Sequence, residues 1–264
     1  MHDRVALVTG GTSGIGLACV HLLVAGGARV ALIGRDPSRG EAAVHEIGTR
    51  GGDEGRVLFV AADVADAEQV RHAVDTVLTR WGRLDHAVNS AAYAPTMAVP
   101  TAELPEVEFD RTLAVNLRGA WLSMKYEIAA MLKSGGGSIV NVSSANGLTG
   151  TPMAAAYCAS KWALHGLSRT AATEYGARGV RINVVCPGPT RTPMLEGVLD
   201  QLVAGNTGLD RVQAESMYAS HVPLGRIGEA GELAQAIVWL LSPGASFVNG
   251  AVLSVDGGFT SAAL

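Results

Sequence analysis

Seven short apolar runs, at residues 5–8, 29–33, 57–61, 84–88, 138–142, 180–185 and 251–255, are separated by longer stretches of helix-forming composition such as 14–26, 66–81 and 105–132. The runs are β-branched and carry no polar alternation, as strands buried on both faces require. A strand followed by a helix-like stretch and then another strand is the pattern of right-handed crossovers in a parallel sheet. The expected fold class is therefore α/β: one doubly wound domain over residues 1–264, with a parallel seven-stranded sheet flanked by helices. Residues 190–223 have no strand partner, and Met194, Leu195, Leu199, Leu202, Met217 and Tyr218 sit there among polar residues. We read this segment as a helical insertion over a substrate cleft, with packing on the core or a subunit contact as the other readings.

Charge narrows the partners. A formal net charge of −4 gives no basic field for a phosphate backbone or an anionic membrane. No stretch approaches the roughly 20 apolar residues of a membrane span. The expected partner is a small molecule, with no nucleic acid and no membrane. Cys19, Cys158 and Cys186 are an odd set without close spacing, which suits a reducing compartment, and they read as small buried hydrophobes. The first residues run straight into a strand without the order of a signal peptide, so a cytoplasmic location is expected. The histidines are scattered, with no pair at metal-ligand spacing beside a cysteine or carboxylate cluster, and no catalytic metal is expected.

Directly after the first strand comes Thr9-Gly10-Gly11-Thr12-Ser13-Gly14-Ile15-Gly16, and a helix follows. Glycines let this turn approach a pyrophosphate, while the helix start offers N–H donors and a positive dipole end. The spacing Gly-x-x-x-Gly-x-Gly resembles that of the short-chain dehydrogenase/reductase family rather than the Gly-x-Gly-x-x-Gly fingerprint. Further matches fall in order. Asp63-Val64 resembles the family's adenine contact, and Asn89-Ser90-Ala91-Ala92 resembles its Asn-Asn-Ala-Gly motif, with Ala92 in place of glycine. Pro187-Gly188-Pro189-Thr190-Arg191-Thr192 resembles the Pro-Gly loop that meets the nicotinamide carboxamide, with Thr190 in place of a branched aliphatic residue. The resemblance extends to the terminal Val255-Asp256-Gly257-Gly258-Phe259 and implies a Rossmann domain that binds NAD(P). The implied cofactor contacts are Gly10, Thr12, Ser13, Gly14, Ile15, Gly16, Arg35, Asp63, Val64, Asn89, Ala91, Tyr157, Lys161, Pro187, Gly188, Thr190 and Thr192.

Cofactor type turns on Ile33-Gly34-Arg35-Asp36 after the second strand. Gly34 leaves the acidic position empty and Arg35 is free to pair with a 2′-phosphate, which favours NADP(H). Asp36 keeps NAD(H) open, since it stands about 20 residues beyond the turn. It also suits a helix N-cap, with Pro37 at the first helical position.

Tyr157 and Lys161 stand four residues apart on one helix face, thirteen residues after Ser144. Five tyrosines and the three lysines Lys125, Lys133 and Lys161 would give such a pair by chance only about 0.06 times in a chain of this length. Hydride transfer to a carbonyl builds charge on oxygen, so it needs a proton donor and a hydrogen-bond donor there. Tyr157 and Ser144 suit those roles, and the Lys161 ammonium would favour the phenolate. The resemblance adds that Lys161 holds the nicotinamide ribose and that Asn116 positions a water in a proton relay.

The implied activity is a hydride exchange between nicotinamide and a carbonyl/alcohol pair, with Asn116, Ser144, Tyr157 and Lys161 as the catalytic group. Relatives of the 3-oxoacyl carrier-protein reductase and glucose 1-dehydrogenase kinds are the ones it resembles. A carrier-protein reductase is one alternative and would need a basic patch, for which Arg118, Lys125, Arg169 and Arg191 are the candidates. A non-catalytic cofactor sensor of the same fold and a methyltransferase are the others, and neither needs the Tyr-Lys pair. Tyr93, Ser144, Asn146, Met153, Tyr157 and Met194 are expected to line the substrate cleft, with Gly188, Leu195 and Met217 beside them. A homotetramer is implied by the family.

Overall fold

The computed structural model describes residues 1–49, 54–95, 98–205 and 208–261. The apolar runs become β1 (Val5–Thr9), β2 (Arg29–Gly34), β3 (Val57–Ala61), β4 (His86–Asn89), β5 (Gly137–Val142), β6 (Val180–Pro187) and, last in the chain, β9 (Val252–Val255). They form one sheet in the order β3-β2-β1-β4-β5-β6-β9, with every pair parallel. Alternate residues of each strand face opposite layers. Ala6 and Val8 of β1 join the cluster built with α1 (Gly14–Ala25), α2 (Pro37–Thr49) and α9 (Ala230–Leu241). Val5 and Leu7 join the cluster built with α3 (Ala67–Trp81), α5 (Ala120–Lys133) and α6 (Ala155–Tyr175). Burial on both sides explains why the runs show no polar alternation.

The chain runs outward from β1 through β2 to β3, then returns to start β4 on the other flank of β1. That reversal opens a crevice at the carboxyl ends of β1 and β4, where open α/β sheets bind ligands.

Three expectations change. The stretch 105–132 is not one regular helix: α4 (Glu106–Leu113) passes through a wide π turn, Ala114–Gly119, into α5. Such turns insert a residue into the helical ladder and often mark functional positions, and this one carries Asn116. Residues 190–223 do include a strand: β7 (Thr190–Arg191) pairs in parallel with β8 (Gly228–Glu229). The segment then forms α7 (Pro193–Gly205) and α8 (Arg211–Ser220), and residues 206–207 between them lie outside the described residues. Leu195 and Leu199 of α7 meet Ala214 of α8 and Ile227 in a small core of their own, apart from the two main layers. Cys158 is half-exposed, so only Cys19 and Cys186 are buried thiols.

Candidate active site

The glycine turn forms one wall of a cleft of about 880 Å³, to which Gly10, Thr12, Ser13, Gly14 and Ile15 contribute. Gly10 has φ +65°, and a Cβ there would lie 2.8 Å from the Ala91 amide nitrogen. The two segments after β1 and β4 therefore touch backbone to backbone. Ser13 precedes α1 in an extended conformation and makes no side-chain cap, so the first-turn N–H groups of that helix face the cleft without a side-chain acceptor. This is an anion cradle with the positive end of a helix dipole behind it. Gly16 is different: it does not line the cleft, and a Cβ there would stand 2.2 Å from the Gly10 carbonyl oxygen. Its size serves the packing of helix on turn rather than contact with a ligand.

At the far end of the cleft Arg35, Asp36, Asp63 and Val64 come together with Ala62 and Arg39. Asp36 caps α2, its Oδ1 accepting from Ser38 N at 2.9 Å and Arg39 N at 3.3 Å. Arg39 was not foreseen, although a basic residue one turn beyond the cap falls on the same side as Arg35. Gly34 is held small by its neighbour, since a Cβ there would lie 2.7 Å from Thr12 Cγ2.

The catalytic candidates sit where β5 and α6 meet. Ser144 follows β5; its Oγ accepts from Asn146 N at 3.1 Å, and its hydroxyl shares the cleft wall with the Tyr157 phenol. Lys161, one turn along α6, is buried, and its Nζ donates to the Val142 carbonyl at 2.9 Å while lying 5.5 Å from the centre of the Tyr157 ring. An ammonium has three donors, so two remain for other acceptors. Burial pushes the Tyr157 phenol up to about 12, against the lowering effect of the nearby Ser144 hydroxyl. Burial likewise pushes Lys161 down to about 8. Within the protein alone, desolvation is the largest influence on both groups.

Asn116 is buried in the π turn, with its amide fully engaged: Oδ1 accepts from Tyr93 N at 2.7 Å, and Nδ2 donates to Tyr93 O at 2.8 Å and Ser160 Oγ at 3.1 Å. Its side chain does not line the cleft. It pins the backbone of Tyr93, which does, and whose hydroxyl donates to Glu108 Oε2 at 2.6 Å. Asn89 also departs from expectation. Its side chain turns away from the cleft toward Glu127 and Asn141, while the residues after it, Ser90, Ala91, Ala92 and Tyr93, form the wall.

Pro187, Gly188, Thr190 and Thr192 close the cleft from the β6 side. A Cβ on Gly188 would lie 2.8 Å from Asp256 Cα, which ties this loop to the segment after β9. Thr192 stands opposite the glycine turn, its Cγ2 3.2 Å from where a Gly14 Cβ would be. Tyr93, Ser144, Asn146, Met153, Tyr157, Met194 and Leu195 gather at the remaining end. Met217 does not; Tyr218 takes its place, with Val198 and Gln201 of α7, which a helical register for this segment would have revealed. The formally charged residues among the described lining, Arg35, Asp36, Arg39, Asp63 and Lys161, all belong to the cofactor half and the catalytic pair. The substrate end is apolar with a few uncharged polar groups. Outside it, Arg191 pairs with Glu196, Glu215 and Glu229, and Arg211 pairs with Glu196, Asp200 and Glu215.

Taken together, the N–H cradle, the two arginines in the lining and the buried ammonium fit a dinucleotide laid along the cleft. Comparison with known proteins agrees with that chemistry. Residues 10–260 match the family model described as Enoyl-(Acyl carrier protein) reductase. The chain is 43% identical over 262 residues, 99% of its length and 98% of the relative's, to 2,5-dichloro-2,5-cyclohexadiene-1,4-diol dehydrogenase of Sphingobium indicum. Among solved structures, levodione reductase superposes with a TM-score of 0.92 at 35% identity, covering 99% of both chains. A variant of actinorhodin polyketide ketoreductase solved with NADPH superposes with a TM-score of 0.92 at 31% identity, covering 98% of this chain and 99% of that one.

Proposed function

This chain belongs to the short-chain dehydrogenase/reductase family, and from that we propose that it interconverts a compact, uncharged secondary alcohol and its ketone with NADP(H), using Tyr157 as general acid/base. Its relatives are NAD(P)-dependent dehydrogenases and reductases acting on alcohols and ketones, and it is an oxidoreductase of that kind. The observation that carries the assignment of roles is the gathering of Ser144, Tyr157 and Lys161 on one cleft wall, with Lys161 Nζ 5.5 Å from the centre of the Tyr157 ring.

The bound nicotinamide supplies or accepts the hydride. Tyr157 gives a proton to the substrate oxygen in reduction and takes it in oxidation, and the Ser144 hydroxyl holds that same oxygen. Lys161, fixed through Val142, has donors left for the ribose hydroxyls and places positive charge behind the phenol. Asn116 acts by holding the backbone of Tyr93 at the cleft wall, a support for the group. Gly10, Thr12, Ser13, Gly14 and Ile15 take the pyrophosphate, and Asp63 and Val64 the adenine. Pro187, Gly188, Thr190 and Thr192 take the carboxamide side.

NADP(H) is favoured because Arg35 and Arg39 both line the cleft just after β2, while Gly34 leaves no acid and Asp36 spends its carboxylate on the α2 cap and on Arg39, 3.7 Å away. The apolar substrate end suits a small neutral molecule. A carrier-protein substrate is disfavoured, since Arg191, one of the candidate docking cations, is already neutralised by three glutamates. We treat residues 190–223 as a substrate-covering insertion on the single domain 1–264, because Met194 and Leu195 line the cleft from it. The homotetramer implied by the family is supported by the exposed Trp121, Trp162, Trp239 and Phe247. No described helix is long and apolar enough to cross a membrane. The free cysteines favour a reducing, cytoplasmic setting.

Tyr157→Phe tests the central role. Turnover of a ketone panel should fall by about 10²-fold or more, with the cofactor dissociation constant unchanged. Retained turnover would remove Tyr157 from the chemistry.

A further inference from the structure

Among the described residues, two buried side-chain atoms have no hydrogen-bond partner, and they belong to side chains that already touch: Asn89 Oδ1 and Glu127 Oε1. Glu127, on α5, is wholly buried. Asn89 Nδ2 donates to Glu127 Oε2 at 3.0 Å and to Asn141 Oδ1 at 3.0 Å, which uses both amide hydrogens. Asn141 Nδ2 in turn donates to Ser168 Oγ at 2.8 Å and to Met124 Sδ at 3.1 Å. Exchanging the oxygen and nitrogen of Asn89 would set acceptor against acceptor at Glu127 and so cures nothing. With Glu127 ionised, both orphans are acceptors and neither can serve the other. A single proton on the carboxyl turns them into donor and acceptor.

We propose that Glu127 is held as the neutral acid, its Oε1–H donating to Asn89 Oδ1, and that the resulting two-bond clasp is a positioning device for the cofactor cleft. Asn89 is the last residue of β4, and residues 90–93 after it line the cleft. Ala91 N stands 2.8 Å from where a Gly10 Cβ would be, so the wall has little room to move against the glycine turn. Fixing the Asn89 side chain fixes the root of that wall.

The surroundings agree. Burial pushes the Glu127 carboxyl up to about 8, and only the Asn89 N–H opposes it. No charged group on the elements packed nearby is turned to Glu127. On α6, Lys161 donates to Val142 O and His165 bonds Ser143 Oγ. On β4, His86 bonds Ser138 Oγ, and Asp85 before it takes Arg4 and Arg83. On α3, Arg71 pairs with Glu68 and Asp75; on α5 itself, Lys125 lies over Trp121 and Tyr126. β5 carries no charged side chain.

The test is an isotope-edited infrared pH titration of the full-length wild-type protein labelled at glutamate carboxyl carbons. A carboxylic-acid C=O band should persist at about pH 7 and disappear near about pH 8–9, when every solvated glutamate is already ionised. A spectrum of carboxylates alone at neutral pH overturns the proposal. Glu127→Gln supplies the second measurement, since its amide can donate to Asn89 Oδ1 and accept from Nδ2 without titrating. A raised folded-state pKa lends stability that is complete below the ordinary glutamate value and lost as pH rises through about 8. The thermal midpoint of wild type minus that of Glu127→Gln should therefore decline between about pH 5 and about pH 8, and a flat or rising difference overturns the protonated state. Positioning is read from the cofactor dissociation constant. Its ratio, wild type over Glu127→Gln, should rise several-fold above about pH 8, because groups common to both proteins cancel. A constant ratio would reduce the clasp to a structural bond and refute the positioning role.

Discussion

Gly10 and Gly14 both adopt positive φ, at +65° and +53°, but they differ in what surrounds them, and replacing each by alanine separates two costs. The left-handed backbone costs an L-residue about 1–2 kcal/mol at either site. At Gly14 the new methyl group would meet the Thr192 side chain at 3.2 Å, a contact relieved by a shift of a few tenths of an ångström. At Gly10 it would meet Ala91 N at 2.8 Å, Ala91 Cα at 2.9 Å and the Ser90 carbonyl carbon at 3.0 Å, all backbone. Backbone cannot rotate away, so an overpacking cost of about 1–3 kcal/mol is added. Gly10→Ala should then lose about 2–5 kcal/mol and Gly14→Ala about 1–2 kcal/mol. At about 2–4 °C per kcal/mol for a chain of this size, the midpoints should fall by about 4–20 °C and about 2–8 °C respectively. Differential scanning fluorimetry without and with saturating NADPH measures both proteins. The shift given by cofactor should shrink for Gly10→Ala, because the displaced wall is the one that lines the cleft. Equal losses for the two variants, or a Gly10→Ala midpoint within about 2 °C of wild type, would refute the claim that the segments after β1 and β4 are held in backbone contact.

Arg35→Ala should weaken NADPH about tenfold and NADH less than about twofold by fluorescence titration; equal losses would reject the phosphate contact. Lys161→Met should abolish turnover and change the pH dependence of stability. The buried ammonium titrates near about 8 in the fold against about 10.4 when solvated, so the stability it lends is present above the unfolded value and lost as pH falls through about 8. The wild-type midpoint should therefore rise relative to Lys161→Met between about pH 8 and about pH 10, and a falling difference would contradict the depressed value.

The fold was legible because buried parallel strands announce themselves: each predicted run lies within two residues of an observed strand. The glycine turn, Ser144, Tyr157 and Lys161 were legible because their chemistry fixes their spacing. What escaped has a physical reason in each case. Asn89 read as a cofactor contact and Asn116 as the holder of a relay water, but a sequence does not say which way a side chain turns from a strand end or a π turn, and both turn inward. Nothing in the sequence sets Glu127 apart; only the packing of α5 against the sheet makes it a core residue. Tyr218 and Gln201 needed the register of α7 and α8, which depends on a small core that no strand pattern signals. The π turn itself leaves no mark in hydrophobic periodicity.

The contact between Gly34 and Thr12 bears on how cofactor choice can drift in such a chain. Installing an acidic residue at 34, the direct route to a 2′-hydroxyl preference, drives the new Cβ into the Thr12 methyl group. Thr12 must first shrink or rotate, yet it belongs to the glycine turn, which we propose cradles the phosphates. The two positions are thus epistatic, and the order of mutational steps matters. A change at Thr12 that is harmless under one cofactor opens the path to the other, whereas the reverse order passes through a protein poorly suited to either.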